Sequence, residues 1–126
     1  MNAASLWFSS PKLAFRFGLV VVFFAALIPY SAVYSFEFVL WDDNVYVIDR
    51  PEIHGGLTSD GIKWAFTTFE NANWHPLTWL SYMLEIELFG LDSGVMHLTN
   101  LGLHCLNAVL AACVLKSFTG NRGLSL

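Results

Sequence analysis

The chain has 126 residues, 56% of them hydrophobic and 13% charged, with a mean hydropathy of +0.54 and a formal charge of −4. This is too apolar for an ordinary water-soluble domain of its length, and no basic run offers a surface to nucleic acid. Cys105 and Cys113 fall about 12 Å apart along one expected helix, beyond disulfide reach, and read as small packing residues. The fold class expected is all-α membrane: two transmembrane helices flank a long outer loop with two amphipathic helices, as part of a larger polytopic bundle.

Residues 1–16 are expected to be cytoplasmic, and residues 17–36 form an uncharged run of 20 that covers roughly the 30 Å of a hydrocarbon core. The competing reading is a cleaved signal peptide, whose apolar part is usually about 7 to 15 residues long. No A-x-A site follows the run to favour it. Pro29 should kink the helix, and Tyr30, Tyr34 and Trp41 suit an interfacial belt.

The loop, residues 37–97, opens on "FVLWDDNVYVIDRP", which puts Asp42 and Asp43 straight after the span. In their bland reading they are solvated acids that end a membrane segment. In the functional one, a carboxylate acts as general base or holds a metal beside a membrane-bound substrate. "DRPEIHGG" reads as loop, because Arg50 precedes a proline and Gly55-Gly56 breaks any period.

Thr58 or Ser59 then caps a short helix with Ile62, Ala65, Phe66 and Phe69 on one stripe. After Asn71–Asn73 a second helix starts at Pro76 and ends at Gly90, with Leu77, Leu80, Leu84 and Leu88 as its stripe and Ser81, Glu85 and Glu87 off it. Both suit the membrane surface or a bundle. His75 sits where the dipole of the second helix would favour an anion, or is simply a residue before its first turn. Trp64, Trp74 and Trp79 suit packing or an interface, with sugar stacking as the sharper alternative.

Residues 98–115 are the second uncharged run. His97, Asn100, His104 and Asn107 fall within an arc of about 80° on this helix, a polar stripe that needs partners inside a membrane. Interhelical hydrogen bonding is the plainer reading and substrate binding the sharper one. The spacing suits no metal. Residues 116–126 close the chain on the cytoplasmic side.

All ten acids lie between the two runs, whereas Lys12, Arg16, Lys116 and Arg122 lie outside them. The positive-inside rule therefore puts both flanks in the cytoplasm and the loop outside.

Taken in order, "WDDNVYVIDRPEI", "NWHPLTWLS", "FG", "HLTNLGLH" and "TGN", over residues 36–121, resemble the start of bacterial tetratricopeptide-repeat membrane proteins related to the transmembrane O-mannosyltransferases. The resemblance implies a C-type membrane glycosyltransferase of the bacterial inner membrane, of which this would be an amino-terminal fragment, inactive alone. It implies a polyprenyl-phosphate-linked sugar as donor and an acceptor protein hydroxyl; membrane lipid is expected around the helices, and no cofactor is expected, with a divalent metal left open. It also places Asp42 and Asp43 at the active site, Asp42 as base, and leaves His75 where relatives carry an arginine before Pro-Leu. The alternative from another class is a non-catalytic membrane anchor for a repeat array. A third reading is a transporter piece that uses the polar stripe for substrate.

Overall fold

The computed structural model describes residues 10–119. Arg122, the end of "TGN" and residues 1–9 of the expected cytoplasmic segment lie outside that range. Among the described residues the chain is helical and holds no strand: α1 (Pro11–Leu27), α2 (Pro51–His54), α3 (Ser59–Thr67), α4 (Pro76–Phe89) and α5 (Ser93–Thr119), joined by short 3₁₀ and π turns. Two stretches, Lys12–Ser35 and Ser93–Phe118, are long and apolar enough to cross a membrane. Only 6% and 11% of their most apolar windows are buried, unlike the core helix of a water-soluble protein.

The residues divide into two compact units. The first holds α1 and most of α5. α1 starts with Pro11 in its first turn, where the missing N–H costs no hydrogen bond, and the Ser10 carbonyl accepts from the N–H groups of Leu13 and Ala14. At the other end, Pro29 has no N–H to continue the ladder. Regular α-helix therefore stops at Leu27, and the apolar stretch runs on as 3₁₀ turns at Ile28–Tyr30 and Val33–Ser35. The expected kink is thus a change of helix type. Lys116 Nζ lies 3.3 Å from the centre of the Phe15 ring, and His104 meets the Tyr30 ring edge-on at 5.5 Å. Early residues of α1 meet late residues of α5 and the reverse, so the helices run antiparallel. Cys105 and Leu101 are buried in this unit, and both cysteines are free thiols.

The second unit spans residues 33–98. Its core is Val47, Ile53, Ala65, Trp79, Met83 and Met96, with Phe38, Tyr46, Trp64, Tyr82 and Ile86 packed around it. Thr58 is the cap of α3: its Oγ1 accepts from the Gly61 N–H at 3.0 Å. Asn71 and Ala72 hold left-handed backbone, which breaks the chain between α3 and α4. Gly90 ends α4 with a φ of +78°.

Three expectations differ from what is found. "DRPEIHGG" contains a turn of helix, α2, because Pro51 suits the first helical position and Ile53 is drawn into the core. In α3 only Ala65 of the expected stripe is buried, while Ile62, Phe66 and Phe69 are exposed. Small residues at Gly61 and Ala65 let α4 approach, and Trp64 packs across Trp79 with ring centres 4.9 Å apart. In α4 three of the four leucines of the expected stripe face out, Leu77 at 76% exposed, Leu88 at 62% and Leu84, and only Leu80 packs against the core. The inward ridge is Trp79, Met83 and Ile86, whose larger aromatic and thioether surfaces outcompete it. Glu85 is only 7% exposed, with Oε1 accepting from the Ser81 hydroxyl at 2.9 Å.

Candidate functional site

The acidic pair stands in the turn that leads into one π-helical turn, Asn44–Ile48. The Asp42 carbonyl accepts from the N–H groups of Val45 and Tyr46 at 3.0 and 2.9 Å, which starts that turn. The two carboxylates then part company. Asp43 Oδ2 accepts from the Val39 N–H at 2.8 Å and closes the lip over the exposed Leu40 and Trp41. Asp42 is exposed, and no hydrogen bond to its carboxylate is recorded among the described residues. The pair therefore has one structural member and one open member, which adjacency in sequence does not reveal.

Tyr46 joins this turn to His75. Its ring lies 5.6 Å from the imidazole and 5.7 Å from the Trp79 indole, and its hydroxyl accepts from Asn73 Nδ2 at 3.1 Å. His75 stacks on Trp79 at 4.7 Å with the planes 27° apart. The His75 carbonyl accepts from the N–H groups of Thr78 and Trp79, which places the ring at the amino end of α4. Trp79 is fully buried, so its face is closed to a sugar. Of the three tryptophans weighed as a stacking platform, only Trp74 is well exposed, its indole N–H donating to the Phe66 carbonyl at 3.0 Å.

Three buried polar atoms around this cluster have no protein partner among the described residues: Asn44 Oδ1, His75 Nδ1 and Trp79 Nε1. Such atoms are costly unless something satisfies them. Tyr82, packed against Trp79, has its phenol pushed above the usual tyrosine value by burial first, then by the negative charges of Glu85 and Asp43 and by Tyr46. It stays a neutral hydrogen-bond donor at physiological pH. Arg50 is engaged twice, with its guanidinium 3.1 Å from Glu70 and its Nε donating to the Val45 carbonyl at 3.0 Å.

The polar stripe of α5 does not form one site. His97 belongs to the loop unit, half-buried and with its Nε2 unpartnered, whereas Asn100 and His104 belong to the unit of α1 and α5. There His104 rests on Tyr30 and Asn100 is exposed. Among the described residues no three His, Cys, Asp or Glu side chains gather as a metal site.

Sequence reasoning missed two clefts of the loop unit. The larger, about 480 Å³, is lined by Tyr34, Glu37, Phe38, Ile48 and Asp92 among others, and the smaller, about 340 Å³, by Glu52, Thr58, Asp60 and Trp64 among others. Neither is lined by Asp42, Asp43, His75 or His97. The larger joins residues 34–48 to residues 91–94, which no local pattern announces, and the smaller is folded from the single stretch 51–64. Comparison of the chain with family models, with curated proteins and with solved structures finds no match.

Proposed function

We propose that the chain supplies the opening part of a membrane glycosyltransferase, which moves a sugar from a polyprenyl-phosphate donor to a protein hydroxyl. In this reading the loop lies outside the bacterial inner membrane and both flanks lie in the cytoplasm. The observation that carries it is the split between the aspartates: Asp43 is held by the Val39 N–H, while Asp42 presents an open carboxylate at the lip. Asp42 takes the proton of the acceptor hydroxyl as its oxygen bonds to the anomeric carbon and the bond to the departing phosphate breaks. General base catalysis of this kind contributes roughly 10² to 10⁴ in rate. His75, at the amino end of α4 and with an unpartnered Nδ1, suits the donor phosphate.

In native membranes, Asp42→Asn should abolish transfer to an acceptor peptide while insertion stays normal, and Asp43→Asn should act by loosening the lip. Normal transfer by Asp42→Asn removes Asp42 from the role of base. A reporter active only outside the cytoplasm should work when fused after Gly90 and stay silent after Lys116. The placement of both clefts away from Asp42 and His75 favours the second reading, a non-catalytic membrane anchor. Under it, joint neutralisation of Asp42 and Asp43 leaves the phenotype unchanged.

A further inference from the structure

We propose that Tyr46 is the positioning residue of the candidate site: it fixes the separation between Asp42 at the lip and His75 at the amino end of α4. The proposal rests on the transferase reading for its catalytic consequence, and it concerns how that one site is held together.

Asp42 and His75 come from segments distant in sequence, and a base and a phosphate contact serve one transfer only at a set distance. Tyr46 reaches both. Its N–H donates to the Asp42 carbonyl at 2.9 Å, which ties its backbone to that of the base. Its ring lies 5.6 Å from the His75 imidazole, and its hydroxyl accepts at 3.1 Å from Nδ2 of Asn73, just before the histidine. The far end of this bridge is anchored: His75 stacks on Trp79 at 4.7 Å, and Trp79 is fully buried with Trp64 and Tyr82 against it.

The backbone is shaped for this reach. The turn closes with the Asp49 N–H on the Asn44 carbonyl at 2.7 Å, the wide π spacing that recurs at functional sites. Within it Val47 takes the place in the core, 4% exposed, while Tyr46 beside it stays half-buried and meets His75. A side chain that only filled the core would have no use for the hydroxyl that Asn73 engages. Arg50 holds the same turn by a different route, joining the Val45 carbonyl to Glu70. A shift of about 1 Å between reacting groups costs about 100-fold in rate, so loss of the Tyr46 bridge should be felt in kcat.

The test reads distance and activity separately. Trp41→Cys and Leu77→Cys, at sites 80% and 76% exposed beside Asp42 and His75, carry nitroxide spin labels in the full chain with Cys105→Ala and Cys113→Ala, reconstituted in phosphatidylcholine vesicles. Double electron–electron resonance should give one narrow distance distribution. Tyr46→Leu should broaden it while urea unfolding of the loop unit stays cooperative. Tyr46→Phe and Asn73→Ala cut the same hydrogen bond, so each should broaden it less, by equal amounts, and their combination no further. Glu70→Gln, which loosens the Arg50 tie, should leave it unchanged. In native membranes supplied with a serine-containing peptide, Tyr46→Leu should lower kcat about 100-fold with KM for the peptide little changed. An unaltered distribution in Tyr46→Leu overturns the proposal, as does equal broadening by Glu70→Gln or full kcat in a variant whose distribution has broadened. If the leucine variant fails to fold, additive effects of Tyr46→Phe and Asn73→Ala overturn it instead. A broadened distribution in Tyr46→Leu, with no transfer by the unaltered protein, upholds the bridge and overturns the transferase reading.

Discussion

The loop unit and the pair of long helices solve the same problem in opposite ways. The loop unit brings Trp79, Ile53 and Met83 to complete burial and ties α2, α3 and α4 around them. The long helices bury Leu101 and Cys105 and leave Phe17, Val20, Phe24, Leu103, Leu110 and Val114 exposed. An apolar surface of that extent is unstable in water and at rest in hydrocarbon. One region closes its apolar surface into an interior, and the other carries that surface outward on two stretches long and apolar enough to cross a membrane.

The contrast breaks most sharply at Trp79. Trp79→Ala should cost the loop unit about 3–5 kcal/mol, through lost burial and the cavity between Tyr46, Trp64 and His75. Loss of near-ultraviolet dichroism at unchanged membrane insertion would show that the two regions are independent. Simultaneous loss of insertion would show that they are not.

Gly56 is the next largest. Its φ is +74°, and an added Cβ would lie 3.0 Å from the Glu87 Cβ, beside the carboxylate that accepts from the Leu57 N–H at 2.9 Å. Gly56→Ala should destabilise the unit by about 2 kcal/mol, combining left-handed strain with crowding. Denaturant unfolding followed by tryptophan fluorescence reads the change. Thr58→Ala, which removes the α3 cap, should cost about 1 kcal/mol, and Thr58→Ser should restore most of it.

The smallest effect concerns pH. The Tyr82 phenol has its pKa raised in the folded chain, so the neutral form is the one that folding favours. Its contribution is fully present below the unfolded tyrosine value of about 10 and is lost as pH rises through the raised folded value. Stability of the loop unit should therefore decline in that alkaline window, and Tyr82→Phe should flatten the decline.

Local signals were legible in the sequence. Pro76, Thr58 and Gly90 act on their immediate neighbours, and each sits at a helix boundary where its own chemistry predicts it. The apolar runs were legible because length and hydropathy need no tertiary context. Choices between competing surfaces were not. In α4 the leucines and the ridge of Trp79, Met83 and Ile86 are both helical stripes, and the partners Tyr46 and Trp64 favour the ridge, with only Leu80 of the leucines against the core. The division between Asp42 and Asp43 depends on where the Val39 N–H points, which the backbone of the lip determines and composition does not. The π turn at Asn44–Ile48, which carries Val47 into the core, likewise has no local pattern that announces it.

The outward leucines of α4 have a practical consequence for anyone who wants the loop unit in aqueous solution. A hydropathy profile would protect Leu77, Leu84 and Leu88 as core and offer Glu85 for replacement, and both choices would be mistaken. Polar substitution at those three leucines removes adhesive surface while Trp79 and Met83 keep their neighbours, and Glu85 belongs with the residues to leave alone.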